Sequence, residues 1–588
     1  MACHCDTGRI QPWSPSNEIS LFDGSVVETA EESECYNNQL LVHQTIFGAE
    51  LASFLACKIS TRPPYMAVSS AHSQRPEVVV GRRLGRHLGA VLLLLLLVST
   101  CSSSVSAKAI VETLPGYSGK LPFKLETGYV TVGDMDEIEL FYYFIESERN
   151  PVRDPLLLWL TGGPGCSGFS GLVYEIGPLV FDYTTFNGSF PSLLSNPHSW
   201  TQIASIIFLD APVGTGFSYS TTQSGYYSSD TLSANNTYTF LRKWIVDHPR
   251  FSKVPLYISG DSYSGMIVPQ VTKLISQGIT AGLQPTLELQ GYILGNPVTA
   301  LHSDENSRVP FMHRLSLISD ELYESAKHNC KGEYFDPDTS NSTCIEDIGQ
   351  ITQCTIKICD AQILEPKCSY SKPKPPGLNW GRKFFDEDAT LELLRSPTKR
   401  EENWCRVCPS IDLSNCLYVY LSMSSAAIVM QEIDGLHFLQ NSNYVLSYMW
   451  ANYDTVQEAL NVRKGTILEW MRCNKSLAYD SNLNSTVSYH YDLLKDGYRA
   501  LVYSGDHDML IPHVGTEGWI YSLNMTVVDN WRPWFVDGQI AGYTTKFKVY
   551  LGDGLTYNTV KEGGHTAPEY KPKQCLEMAD RWLSYYPM

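Results

Sequence analysis

Positive charge is scarce in this chain: 44 Lys and Arg stand against 62 Asp and Glu, a net charge of −18. That field repels a phosphate backbone and no basic stripe interrupts it, so nucleic acid is excluded as a partner. A membrane-spanning run is also missing. The apolar stretch at 88–98 (LGAVLLLLLLV) holds about 11 residues, where a bilayer needs roughly 20. Internal repeats are absent. A zinc or redox site lacks its second half, since Cys405-x-x-Cys408 has neither a second CxxC nor a His pair at ligand spacing. No metal and no cofactor is expected. What is present is 43% hydrophobic, 12% aromatic and 18% charged, the make-up of a globular chain with a large core. Its 588 residues suffice for one large domain with insertions, or for two or three small ones.

The apolar stretch follows Arg82, Arg83 and Arg86 and leads into a small-residue segment ending Val105-Ser106-Ala107. A positive region, an apolar centre and an A-x-A-like site form a signal peptide, spanning 66–107 if Met66 is the start. Residues 1–65, with Cys3, Cys5, Cys35 and Cys57 in no motif, then read as an extension with no part in the fold. The expectation is entry into the secretory pathway, towards the vacuole or the cell exterior, with no stable membrane span after cleavage. Sequons at Asn187, Asn235, Asn341, Asn474, Asn484 and Asn524 agree with that route. Eleven cysteines follow the cleavage site, and an oxidising lumen pairs most of them. Their odd number leaves at least one free thiol.

From residue 108 onwards strands alternate with helices. Gly128–Val132 and Ile138–Phe144 read as a hairpin. Leu156–Leu160, Ile203–Leu209, Pro255–Ser259, Leu289–Leu294 and Ala500–Tyr503 are short apolar runs of the kind that parallel sheets bury on both faces. After Ser262 the apolar spacing turns helical, through Ile267, Val268, Val271 and Ile275. The fold class is α/β, with a central, mostly parallel sheet covered on both faces. The stretch from about 300 to 450 differs: it is cysteine-rich and poor in strand-like runs. It reads as an inserted, disulfide-stapled cap, with a protease-sensitive loop at about 370–403.

The strongest chemical signal is Gly260-Asp261-Ser262-Tyr263-Ser264-Gly265, between a strand and a helix. A serine hydroxyl attacks a carbonyl only when it is exposed on a tight turn beside a base, which a G-x-S-x-G elbow provides. Here Ser264 takes the place of the second glycine and is the rival nucleophile to Ser262. Ser504-Gly505-Asp506-His507-Asp508 follows a strand where an α/β hydrolase presents its acid, and His565 lies on a glycine-rich loop after the strand-like Thr556–Val560. The order Ser, Asp, His is that of the α/β-hydrolase fold. His507 is the competing base. Gly162-Gly163-Pro164-Gly165 leaves backbone N–H groups unobstructed, and those of Gly163 and Tyr263 are the candidate oxyanion donors.

Together these segments resemble the serine carboxypeptidase family, and in detail its plant acyltransferase branch. The resemblance runs from about 115 to the C-terminus. It rests on WLTGGPGCSGFSGLVYEIGP (159–178), FLDAPVGTGFSYS (208–220), GDSYSG (260–265), GNPVT (295–299), YSGDHDMLIPHVGT (503–516), WRPWFVDGQIAGY (531–543) and GGHTAPEYKP (563–572). It implies an α/β-hydrolase fold with Ser262 as nucleophile, His565 as base and Asp508 as its orienting acid, and a hole at Gly163 and Tyr263. Thr161, Gly162 and Asp261 fall at substrate-binding positions. In the peptidases an Asn and a Glu stand where this chain has Thr161 and Asp261, and they hold the substrate's free carboxylate. The shorter Asp without its Asn companion serves that poorly. The resemblance also implies disulfides Cys166–Cys473, Cys330–Cys344 and Cys368–Cys416, and a cut within the cap in some members.

The expectation is therefore ping-pong acyl transfer, from a 1-O-β-glucose ester to a hydroxyl acceptor. The rival is a serine carboxypeptidase that releases C-terminal residues from peptides. A binding protein on a spent hydrolase scaffold would predict a damaged triad, and all three positions are intact.

Overall fold

Successive side chains of an extended chain point to opposite faces, so a strand buried on both faces feeds two cores at once. The apolar runs do this in the computed structural model, which describes residues 108–365, 444–549 and 554–588 apart from residue 188. In the run Leu156–Leu160, Leu157 and Trp159 enter one core while Leu156, Leu158 and Leu160 enter the other. Ile206 and Phe208 alternate with Ile207 and Leu209 in the same way, as do Leu501 and Tyr503 with Ala500 and Val502.

Among the described residues one sheet has twelve strands. In chain order they are β1 (Ala109–Val111), β2 (Leu125–Val132), β3 (Ile138–Ile145), β4 (Leu156–Leu160), β5 (Ser205–Leu209) and β6 (Tyr219–Ser220). Then come β7 (Leu256–Asp261), β8 (Leu289–Gly295), β9 (Arg499–Gly505), β10 (Thr526–Val536), β11 (Gln539–Lys548) and β12 (Leu555–Val560). The spatial order is β1-β2-β3-β5-β4-β7-β8-β9-β12-β11-β10, with β6 beside β3. The centre from β5 to β12 is parallel, and the outer strands on both sides are antiparallel. The hairpin and every apolar run named above as a strand are strands here, Leu156–Leu160 unchanged and the others with ends moved by at most three residues. This is an α/β-hydrolase fold.

Helices cover both faces. Asp230–Asp247 begins at Ser229, whose side chain accepts from the Leu232 N–H and satisfies one of the open donors of the first turn. Val268–Thr280 carries Val268, Val271 and Ile275 inward, the spacing expected after Ser262.

The described part of the insertion, up to residue 365, is helical. Leu301–Asn306, Arg308–Arg314, Asp320–Cys330 and Ser342–Thr355 surround a small core of Val309, Phe311, Met312, Ile318, Ala326 and Ile351. Disulfides join Cys330 to Cys344 within it and Cys166 to Cys473 beside the sheet. Cys575 is buried and carries no disulfide. Residues 1–107, the loop at 370–403, Cys405, Cys408 and the pair Cys368–Cys416 lie outside the described residues. No described helix is long and apolar enough to cross a membrane.

Candidate active site

Strand β7 ends at Asp261 and the chain turns at once into a short 3-10 helix, Ser262–Met266. Ser262 sits at φ +55°, a left-handed conformation that costs a non-glycine residue energy and persists only where its surroundings enforce it. The turn is tight enough to forbid side chains beside it. A Cβ on Gly260 would come 2.2 Å from the Leu160 carbonyl oxygen, and one on Gly265 would come 2.3 Å from that of Val298. Ser262 is half-buried, with its hydroxyl on the site side, whereas Ser264 is buried and its Oγ has no partner among the described residues.

His565 reaches Ser262 from a loop 303 residues away: Nε2 lies 2.7 Å from the serine Oγ, which donates to it. On the other side of the ring Nδ1 donates to Asp508 Oδ2 at 2.8 Å. Asp508 is fully buried, and its second oxygen accepts from the Leu510 and Ile511 N–H groups at 2.8 and 3.2 Å. The loops that carry these two side chains close on each other, since a Cβ on Gly505 would come 2.2 Å from the Gly564 carbonyl. His507 is spent in that closure. Its N–H donates to the Gly563 carbonyl at 2.9 Å and its ring lies 3.9 Å from Asp506, so of the two candidate bases only His565 meets the serine.

Asn296 was not singled out from the sequence, although it lies in the quoted GNPVT segment. Its Nδ2 donates to Asp508 Oδ2 at 2.8 Å and its Oδ1 accepts from the Gly505 N–H at 3.2 Å. An asparagine just past the apolar run Leu289–Leu294 was the available signal, and the structure holds it at φ +42°, a conformation that Asn tolerates better than most residues.

Gly162 lies against the nucleophile. A Cβ there would come 2.5 Å from Ser262 Cβ and 2.9 Å from the Tyr263 nitrogen, so only glycine leaves room for a reacting group. Gly163 takes φ +120° and its N–H has no acceptor among the described residues. Tyr263 is the second residue of its helix, where an N–H has no carbonyl within the helix to bond. The Tyr263 ring is anchored from behind, its hydroxyl 2.9 Å from buried Asp230 and 2.8 Å from Ser481.

Three buried carboxyls form a group beside the triad, two of which, Asp261 and Glu569, act on the histidine. Asp261 accepts from the Gly162 N–H at 3.3 Å, and burial pushes it up to about 6 against the pull of His565. Glu175 accepts from the Trp159 indole at 2.8 Å and is raised well above the usual range by burial and then by Asp261. Burial also raises Glu569, which accepts from Thr566 at 2.6 Å and from Tyr444 at 3.0 Å. Burial alone would lower His565. The Asp508 carboxylate outweighs it, with Asp261 and Glu569 adding to the effect, and holds the imidazole above its ordinary value. Glu175 and Glu569 were invisible as site residues because nothing in their local pattern marks them. Thr161 is buried and its Oγ1 has no partner among the described residues.

A hydroxyl hydrogen-bonded to an imidazole, an imidazole oriented by a buried carboxylate, and N–H groups without acceptors in the residues next to Gly162 and Ser262 suit acyl-enzyme chemistry. The comparisons with known proteins point the same way. The family model described as serine carboxypeptidase matches residues 115–585. Serine carboxypeptidase-like 2 of Arabidopsis thaliana is 42% identical over 501 residues, covering 85% of this chain and 98% of that protein. Serine carboxypeptidase-like 10 of the same organism is 44% identical over 495 residues, covering 84% and 98%. Among solved structures, the prohormone-processing carboxypeptidase Kex1Δp of Saccharomyces cerevisiae shares the fold. Its TM-score is 0.59 at 18% identity, over 82% of this chain and 96% of that one.

Proposed function

The chain belongs to the serine carboxypeptidase family of α/β-hydrolase serine enzymes, and from that premise we propose that it moves an acyl group from a 1-O-β-glucose ester to a hydroxyl acceptor. His565 takes the proton of Ser262 as Oγ attacks the ester carbonyl, and the developing oxyanion is met by the N–H groups of Gly163 and Tyr263. Collapse expels glucose, which receives the proton back from the imidazolium and leaves the acyl group on Ser262. The acceptor hydroxyl then gives its proton to His565 and attacks the acyl-enzyme, regenerating the serine. General acid–base assistance of this kind supplies about 10²–10⁴-fold of the rate.

The carrying observation is the pair Thr161 and Asp261. The threonine offers a hydroxyl where an amide would grip a carboxylate, and the buried aspartate reaches only as far as the Gly162 N–H. Neither suits the free carboxylate of a peptide. The second reading, release of C-terminal residues from peptides, has an observation of its own. With Asp261, Glu175 and Glu569 all raised by burial, the site holds protons at mildly acid pH that a peptide carboxylate could share.

The test is to incubate the purified protein with acylated glucoses plus alcohol acceptors and, separately, with a blocked dipeptide, following the acyl-enzyme by intact mass. The proposal expects a mass increment lost in Ser262→Ala and faster turnover of the glucose ester. Preferential cleavage of the dipeptide would decide for the peptidase.

The proposal extends to passage through the secretory pathway, to the vacuole or the exterior. It is supported by Arg82, Arg83 and Arg86 ahead of the apolar run and by the six sequons. A mature N-terminus close to residue 108 is the expected result of N-terminal sequencing.

A further inference from the structure

An edge strand presents unpaired backbone groups, and proteins keep such edges covered, charged or short. Strand β10 is the outermost strand on its side of the sheet, 11 residues long. Its start is apolar and open: Val527 is 39% and Val528 51% exposed. The sequon Asn524-Met525-Thr526 runs into its first residue.

We propose that a carbohydrate on Asn524 stacks its first sugar on the ring of Tyr521 and covers the apolar start of β10. The inference is independent of the reaction at Ser262 and rests on passage through the secretory pathway. Asn524 is exposed, its side chain has no hydrogen-bond partner among the described residues, and its N–H bonds the Tyr521 carbonyl at 3.1 Å. That turn ends the helix His513–Ser522, and Asn524 at φ +51° closes it. The backbone bond from Asn524 to Tyr521 puts the two residues in one turn at the head of β10. The Tyr521 ring is 53% exposed, yet it is held: it meets the Phe547 ring in a T-shaped pair with centroids 5.4 Å apart, and Phe547 lies directly across from Val527 in the sheet. A pyranose has a face of C–H bonds, weakly positive, and the face of an aromatic ring is its negative pole. A sugar leaving Asn524 therefore starts within one turn of a fixed, half-exposed aromatic ring and three residues from Val527, which lies across from that ring's partner Phe547.

The other five sequons lack this arrangement. Their residues three places upstream are Thr184, Leu232, Asp338, Met471 and Ser481, none of them aromatic. Two are also turned inward. Asn341 and Asn474 are half-buried, and their amide nitrogens donate to the carbonyls of Asn329 and Gly214 at 2.8 and 2.9 Å.

The full chain, secreted from a eukaryotic culture, supplies the test. Glycopeptide mass spectrometry reads occupancy at each sequon. The folded protein is then trimmed either to one N-acetylglucosamine per site or completely, in the wild type and in Tyr521→Ala. The proposal expects Asn524 to be filled and the one-sugar wild type to keep its unfolding midpoint. Complete removal should lower that midpoint by about 2 °C and raise binding of an apolar dye roughly twofold. In Tyr521→Ala the one-sugar and bare forms should unfold together. An empty Asn524 beside filled sequons overturns this proposal alone, and so does a bare wild type indistinguishable from the one-sugar form, or a Tyr521→Ala protein that keeps the full difference. No sugar at any sequon overturns it together with the secretory reading, and neither result touches the acyl-transfer assay.

Discussion

At the residue scale the site works by holding one imidazole in one tautomer. Asp508 accepts from Nδ1, so Nε2 is left with its lone pair towards Ser262. Asp508→Asn removes that preference while keeping the shape, and kcat should fall about 10⁴-fold, with the unfolding midpoint little changed. Asn296 acts one step back. Asn296→Ala leaves a buried carboxylate short of one donor, a loss of roughly 1–3 kcal/mol, and a fall of about tenfold or more in kcat at unchanged KM should show it.

The pH profile follows from the same contacts. A general base must be neutral, so the rate rises with pH as His565 loses its proton, and the raised pKa of His565 moves that acid limb above the usual histidine range. Glu569 contributes to the raising. Glu569→Gln should therefore shift the limb to lower pH, and an unmoved limb would remove Glu569 from the electrostatics of the site.

At the element scale, the turn from β7 into its helix has no slack. In Gly162→Ala the new methyl would stand 2.5 Å from Ser262 Cβ with the serine backbone behind it, so turnover should drop by orders of magnitude while the sheet survives. Circular dichroism and labelling of Ser262 by a fluorophosphonate separate the two effects: folded, but slow to label. In the insertion, the Cys330–Cys344 bridge closes a loop of 14 residues between two helices, worth about 3 kcal/mol in the chain-entropy account. The double substitution Cys330→Ser with Cys344→Ser should raise hydrogen exchange across 320–355. The parallel strands should stay protected, because their two cores do not depend on that bridge.

At the scale of the whole molecule, burial has raised many carboxyls at once. Asp210 is pushed to about 7, and Asp261, Asp304 and Asp506 to about 6, each by burial above all, with Glu175 and Glu569 raised as well. A group whose folded pKa is raised gives its full stabilisation below the unfolded pKa and loses it as pH climbs through the folded value. His490 and His513, lowered by burial to about 3 and 4, act in the opposite sense below pH 6.5 or so, as does the lowered His507. Glu517 is raised by burial too, and the raised carboxyls outnumber the three histidines. Carboxyls lowered by their partners, such as Glu126 and Glu562, are ionised in both states above about pH 5, so the native state should hold more protons than the unfolded chain between about pH 5 and 7. The unfolding midpoint should therefore be higher near pH 5.5 than near pH 7.5. A midpoint that rises towards neutrality would show that the histidines dominate.

What could be read from the chain alone was whatever depends on near neighbours. Leu156–Leu160 is a strand because five consecutive apolar side chains, too few for a helix and closed by Gly162-Gly163-Pro164-Gly165, suit a strand covered on both faces. Ser262 stands out because an elbow needs small residues at fixed offsets, and the order Ser, Asp, His follows from the direction of the chain through the sheet. The tertiary structure alone settled matters between distant residues: that His565 and not His507 meets Ser262, that Ser264 is turned into the interior, that Asn296 holds Asp508, and that Glu175 and Glu569 join Asp261 as buried, proton-holding carboxyls. The physical reason is the same in each case. A strand or a turn is dictated over a few consecutive residues, whereas burial and hydrogen-bond partnership arise only when segments hundreds of residues apart are packed against one another.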